Sequence, residues 1–190
     1  MADSANSTTP TAKRWTYAEV RALGDDGTRR ELLDGALWVQ ESPNVGHQYV
    51  VMRLATKLRP WILAQKLGEF FIAPLDVVLA EDVSLQPDAL FIRADRTGTL
   101  IRRVIEGPPD LVIEVLSETN FRHDLLRKRR LYARHGIGEY WIVDPEQESV
   151  TVLSLSGEAY RDNEAASGEQ PIPTAALPGL PLVAADLFRD

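Results

Sequence analysis

The sequence predicts a single α/β domain in which helices flank a mixed central β-sheet. Three observations point to it: short Val-, Ile-, Leu- and Phe-rich runs of strand length, two long segments with apolar residues at helical spacing, and a length of 190 residues that suits one sizeable core rather than two. The 44% hydrophobic and 26% charged fractions are ordinary for a soluble globular chain. No apolar run approaches the ~18 residues of a membrane span, so no membrane partner is expected.

The opening "MADSANSTTPTAKRW" has no apolar stretch behind its charges. It is not a secretory signal; it reads as a disordered lead-in over residues 1–15, with the domain at 16–190 and a cytoplasmic location. Thr16 and Glu19 make the Ser/Thr-x-x-Glu pattern of a capping box, which starts a short helix. In "RRELLDGALWVQ", Asp34-Gly35 is the favoured two-residue turn of a hairpin between strands at 30–33 and 36–40. "SPNVGHQYVVMRLATKLRPWILAQKL" is a helix of about six turns with Val51, Leu54, Leu58 and Ile62 on one face, and Pro60 is expected to kink it. "EFFIAP", "DVVLA", "ALFIR" and "LVIEVL" follow as strands, with a loop or short helix in "TGTLIRRVIEGPP". "FRHDLLRKRRLYARHG" is a helix closed by Gly136. "EYWIVD", "SVTVLSL" and "AYRD" are the last strands, and the Pro/Ala/Gly-rich stretch from Gly168 to Pro181 is an extended surface segment leading to "ADLF".

A net charge of -7 argues mildly against a dedicated nucleic-acid binder, which usually presents a basic surface. The balance is uneven, however: Arg122, Arg127, Lys128, Arg129, Arg130 and Arg134 concentrate positive charge in one helix. The absence of cysteine removes disulfides, thiolate metal sites and a cysteine nucleophile. No Ser-His-Asp spacing, glycine-rich phosphate loop or zinc pattern appears, so the chemistry falls to carboxylates, Lys and His.

The informative anomaly is Glu114, in the middle of the apolar strand of "PPDLVIEVLSETN", because a buried carboxylate needs a partner. Asp110 shares its strand face but lies ~13 Å along the strand, too far to hold the same ion. Asp88, which opens the preceding core strand in "QPDALFI", can meet Glu114 if those strands pair in register, since neighbouring strands lie ~4.8 Å apart.

The basic helix carries a matching anomaly. Measured from Phe121 at ~100° per residue, Leu125, Tyr132 and Lys128 all fall within about 40° of it on one apolar stripe, whereas Arg127, Arg130 and Arg134 fall on the opposite face. A lysine among core-facing residues requires a carboxylate, and the preceding strand offers Glu114. Two readings stay open. Glu114 and Lys128 can be a buried ion pair without chemistry, or, with Asp88, part of a site for a hard divalent cation such as Mg²⁺ or Mn²⁺ with a lysine beside it, a phosphodiesterase constellation.

An Asp and a Glu on neighbouring strands followed by a lysine resemble the PD-(D/E)xK nuclease superfamily and its restriction-endonuclease-like core. The usual motif places the lysine two residues after the acidic residue; here that position is Leu116, and Lys128 on the following helix would take its role. More closely, "RELLDGALWVQESPNVGHQYV", "QPDALFI", "PPDLVIEVLSETN", "DLLRKRRLY", "GIGEYWIVDP" and "LPGLPLVAADLF", in that order, resemble the Uma2 family of that superfamily. The resemblance implies Asp88 and Glu114 as metal ligands, the Val115 carbonyl as a further ligand, and Lys128 as the catalytic lysine. It also implies that Glu31 of "RELLDG" joins the site, although a strand residue at that position can equally face solvent.

The expected activity is Mg²⁺- or Mn²⁺-dependent hydrolysis of phosphodiester bonds in nucleic acid, foremost DNA, with Arg122, Arg127 and His47 as candidates for holding substrate phosphate. Cutting both strands would suit a homodimer. The competing expectation is a catalytically inactive nuclease fold that binds nucleic acid or a protein partner.

Overall fold

The structure, a computed structural model, describes residues 13–40, 42–117 and 121–189, with the side chains of residues 121–124 excepted. The lead-in expected at 1–15 therefore lies mostly outside the described residues. Its end, Lys13 to Trp15, is tied to the hairpin turn: Trp15 N–H donates to the Gly35 carbonyl, and Arg14 pairs with Asp82.

In chain order the elements are α1 (Tyr17–Ala22), β1 (Arg30–Leu33), β2 (Ala36–Val39), α2 (Val45–Ala64), β3 (Gly68–Ile72), β4 (Val77–Ala80), β5 (Val83–Leu85), β6 (Ala89–Arg93) and α3 (Ala94–Leu100). They continue with β7 (Ile105–Glu106), β8 (Leu111–Val115), α4 (Phe121–Arg134), β9 (Glu139–Asp144), β10 (Ser149–Ser156), β11 (Ala159–Asp162), β12 (Ala166–Ser167) and a closing 3₁₀ turn (Ala184–Leu187). The local signals explain the boundaries. Thr16 and Glu19 complete the capping box of α1. Asp34 and Gly35 both take positive φ, 50° and 77°, as a two-residue turn between right-twisted strands requires. Gly136, at φ 77°, ends α4 and lets Ile137 N–H return to the Tyr132 carbonyl. Helix α2 runs through the exposed Pro60 to Ala64.

Two mixed sheets form where one central sheet was expected. The larger has the order β11-β10-β9-β8-β6-β3 with β12 beside β10; the smaller has the order β2-β1-β5-β4-β7. The hairpin thus belongs to a second sheet completed by β5 and β7. These strands of three and two residues are too short to show a period in the sequence.

The larger sheet is the middle layer. On one face, Leu111, Ile113 and Val115 of β8 pack with Val51, Leu54, Leu58 and Ile62 of α2. On the other, Val112 packs with Leu131 and Tyr132 of α4 and with Leu33, Val83 and Leu85 of the smaller sheet. Because strand side chains alternate, Glu114 shares the face of Val112 and points toward α4. Strands β8 and β9 are parallel, so the chain must cross over between them, and α4 is that crossover. The topology thereby lays α4 across the strand that carries Glu114.

The C-terminal segment is fastened by another buried carboxylate. Glu139 accepts hydrogen bonds from Thr174 Oγ1 and from the N–H groups of Ala175 and Ala176, as well as from Trp141 Nε1.

Candidate active site

Strands β6 and β8 pair antiparallel up to Ala89 opposite Ile113, which leaves Asp88 at the end of that pairing, close to Glu114 and Val115. Asp88 Oδ2 accepts the Val115 N–H at 2.9 Å, which pins the carboxylate to the end of β8. The same oxygen lies 3.0 Å from His47 Nε2, and Arg29 Nη2 approaches Oδ1 at 3.7 Å. An ionised carboxylate only accepts, so His47 donates through Nε2. His47 reaches the site from the first turn of α2, whose N-cap is Asn44.

From the face toward which Glu114 points, α4 delivers Lys128 and, one turn later, Tyr132. Lys128 Nζ lies 3.2 Å from both oxygens of Glu114 and 3.0 Å from Glu31 Oε1. The Tyr132 hydroxyl donates to Glu114 Oε1 at 2.6 Å. Glu31, completely buried on β1, also accepts from the Gln86 N–H at 2.8 Å and from Gln40 Nε2 at 2.6 Å. Of its two sequence readings, solvent-facing or in the cluster, the structure gives the second. Asp110, by contrast, is held apart by Arg93 N–H and Arg96, fixing the start of β8.

The electrostatics follow from this geometry. Burial pushes the Glu114 carboxyl up to about 8; Lys128 opposes the shift, while Asp88 and Glu31 reinforce it by repulsion. Burial acts in the same sense on Asp88, but the His47 hydrogen bond and charge, the Val115 N–H and Lys128 together hold it below its ordinary value. The two facing carboxylates are therefore driven apart in acidity, a pattern typical of functional sites. Three acidic side chains, Asp88, Glu31 and Glu114, thus gather with Lys128 in one buried cluster.

The donor set fits a hard ion. Among the described residues no three His, Cys, Asp or Glu side chains are placed to hold a metal together. An ion here would take Asp88 and Glu114, with the Val115 carbonyl and water filling other positions, as Mg²⁺ accepts when it keeps several waters.

The candidate phosphate contacts are dispersed. Arg127 is exposed, with its guanidinium 4.6 Å above the ring of Trp38, the residue paired with Glu31 across the hairpin. His47 is on the Asp88 side, and the Arg122 side chain lies outside the described residues. Sequence reasoning missed the Tyr132 hydroxyl, treating the ring as core, although its position four residues after Lys128 on one helical face was a usable signal. Gln40, Gln86 and Arg29 had no such signal, because only the folded hairpin and its neighbouring loop bring them in.

A family model described as "Putative restriction endonuclease", Uma2, matches residues 17–185, which include every element from α1 into the closing 3₁₀ turn. The chain belongs to the Uma2 family. Among solved structures, this Uma2 chain is similar to a "putative nuclease belonging to DUF820" from Anabaena variabilis ATCC 29413, with a TM-score of 0.77 and 20% sequence identity. The similarity covers 91% of this chain and 97% of that one, and at this identity it shows the shared fold. None of the curated proteins matches this chain. Among the described residues, no helix of this Uma2 protein is long and apolar enough to cross a membrane.

Proposed function

We propose that this Uma2 protein is an endonuclease that hydrolyses phosphodiester bonds of DNA with Mg²⁺ or Mn²⁺. One observation supports the reading: the Asp88 carboxylate accepts the Val115 N–H, next to Glu114, while the crossover helix brings Lys128 onto that glutamate. Asp88 and Glu114 are the side chains that would hold the ion, with the Val115 carbonyl. Such an ion supplies Lewis acidity toward a phosphoryl oxygen and makes water a better nucleophile. In hydrolysis, water oxygen bonds to phosphorus, the bond to the departing sugar oxygen breaks, and that oxygen gains, in net terms, the proton that the attacking water gives up. Lys128, held by Glu114 and Glu31, steadies negative charge growing on the phosphate. Tyr132 fixes the Glu114 carboxylate, and His47 fixes that of Asp88. Arg127 at the hairpin rim is available to a flanking phosphate.

Isothermal calorimetry with Mn²⁺, paired with a plasmid-nicking assay, tests the reading. Asp88→Asn preserves an acceptor for the Val115 N–H, so the fold should persist while metal binding and nicking disappear. Wild-type protein that neither binds the ion nor nicks DNA would sink the proposal. The second reading, a non-catalytic module, is favoured by Lys128 being enclosed by two carboxylates, as in a structural ion-pair network; it predicts melting changes in Lys128 variants without any activity to lose.

A further inference from the structure

Asp88 and His47 also line a cleft of about 510 Å³ between the two sheets, walled by α1, the loop into β1 and the segment leading to β7. Four arginines line it: Arg21, Arg29, Arg30 and Arg103. Arg30 is already neutralised by a two-pronged pairing with Asp26. Arg29 is held by Gln86 and lies 3.7 Å from Asp88, whereas Arg21 and Arg103 are more loosely engaged. Arg21 approaches Asp76 no closer than 3.7 Å, Arg29 donates to the Gln86 carbonyl, and Arg103 has no hydrogen bond or salt bridge with any described residue.

Of the cleft carboxylates, Asp88 is met by His47 and Arg29, while Asp76 and Asp25 are engaged mainly by neutral donors. Asp76 accepts from the Tyr17 hydroxyl at 2.8 Å and from Gln86 Nε2 at 2.7 Å, and Asp25 accepts the Gly27 N–H. On a protein of net charge -7, loosely engaged arginines gathered around one depression mark it as a place for an anion. Surface arginines alone are often merely solvated. A second observation points to a ligand: His47 is 5% exposed, and with Nε2 donating to Asp88 its buried Nδ1 is left an acceptor without a partner among the described residues, suited to a donor such as a base N–H and not to a phosphate. Leaving such an atom unsatisfied costs about 1–3 kcal/mol, which a ligand or water can recover.

Shape narrows the ligand. A volume of about 510 Å³ lies in the range of small-molecule sites, and Asp88 at the cleft is only 5% exposed. A rigid duplex carries its phosphates on the outside of a broad rod. A single strand can enter, laying phosphates on arginines and bases on the ring of Tyr17 and the apolar walls of Val20, Ile72 and Leu75.

We propose that this cleft receives a single polynucleotide strand, with Arg21, Arg29 and Arg103 on its phosphates, and leads it to Asp88. This rests on the nuclease reading and names the form of substrate the site accepts. It also moves the main phosphate track from the basic helix α4 to the opposite side of the site.

Fluorescence anisotropy in a chelating buffer, where cleavage cannot intervene, tests it with a labelled DNA oligonucleotide, either single-stranded or annealed as a blunt duplex. The wild type should bind the single strand more tightly than the duplex. The double variant Arg21→Ala/Arg103→Ala, which removes two solvent-facing groups, should weaken single-strand binding at least tenfold and reduce the slope of log affinity against log salt by ~1.4. Arg161→Ala, on strand β11 at the far edge of the larger sheet, should bind as wild type does. Equal or tighter duplex binding, an unchanged double variant, or no binding by the wild type overturns the cleft assignment. A nicking assay with Mn²⁺ separates the two ideas: nicking that ignores the cleft arginines leaves a nuclease without this track, whereas arginine-dependent binding without nicking leaves a single-strand-binding module.

Discussion

Lys128 Nζ stands 3.2 Å from each carboxylate oxygen of Glu114, so one ammonium straddles the whole carboxylate instead of capping one end. The same nitrogen reaches Glu31, and the arrangement joins the crossover helix, the central strand and the hairpin through one atom.

Replacing that atom separates chemistry from architecture. Lys128→Met roughly keeps the volume but leaves two buried carboxylates without their cation, and losing one partner of a buried pair typically costs about 3–5 kcal/mol. Part of that is recovered when Glu114 takes up a proton. Nicking by Lys128→Met should fall at least a hundredfold at temperatures where circular dichroism still shows folded protein. Activity close to wild type in the folded variant would remove Lys128 from the mechanism.

Acidity makes a separate prediction for the metal-free protein. The Glu114 carboxyl, facing Lys128, Asp88, Glu31 and Tyr132, is raised from an ordinary 4.5 to about 8. The folded state therefore keeps a proton that the unfolded chain has lost, and this contribution is complete below the ordinary value and disappears as pH rises through about 8. Asp88 works in reverse: its lowered value stabilises the fold above the ordinary aspartate range, and that gain is lost on acidification. Melting temperature in chelator should thus decline from weakly acidic pH toward the alkaline side, and Glu114→Gln should flatten the decline. A decline unchanged in Glu114→Gln would assign it to other groups.

Tyr132→Phe removes a single oxygen from a completely buried ring. The lost hydrogen bond to a carboxylate is worth about 1.5–3 kcal/mol, so thermal unfolding should occur several degrees lower. If the hydroxyl also aims Glu114, Mn²⁺ affinity measured by calorimetry should weaken by about tenfold, in the range for residues that orient a ligand. A lower melting temperature with unchanged affinity would leave Tyr132 a purely structural donor.

Arg127→Ala should preserve the melting temperature, because the exposed guanidinium stacks on the half-exposed Trp38 and the gain from such a surface contact is small. If Arg127 touches a phosphate, the salt dependence of duplex binding should fall by ~0.9 in slope. An unchanged slope would confine phosphate contacts to other residues.

Much of the site was legible because its chemistry violates local expectations. A glutamate inside "LVIEV" and a lysine inside an apolar helical stripe each demand a partner, and strand and helix periodicity suffice to aim them at each other. The Asp34-Gly35 turn, the Thr16 cap and the Gly136 stop were equally plain, since each rests on chemistry within a few residues. The second sheet was not legible. Strands β5 and β7 are held by pairing with distant segments, and their two or three residues leave no period to read. For the same reason the Gln86 amide donor on Glu31 and the arginines of the cleft were hidden: no spacing rule links Gln86 to Glu31, 55 positions away, or Arg103 to the still more distant Arg21, separations that only the pairing of the smaller sheet removes.

The crossover that carries Lys128 also sets an order of assembly. Glu114 and Lys128 are separated by 14 residues within one strand–helix–strand unit, so their contact needs only a short loop to close. Asp88 joins from the neighbouring strand of the same sheet, whereas Glu31 must arrive from the hairpin of the other sheet after a much longer stretch of chain has been ordered. The ion pair is thus a local contact that early folding can supply, whereas the third carboxylate arrives only once both sheets have met, so the Lys128–Glu31 contact would report the last stage of folding rather than the first.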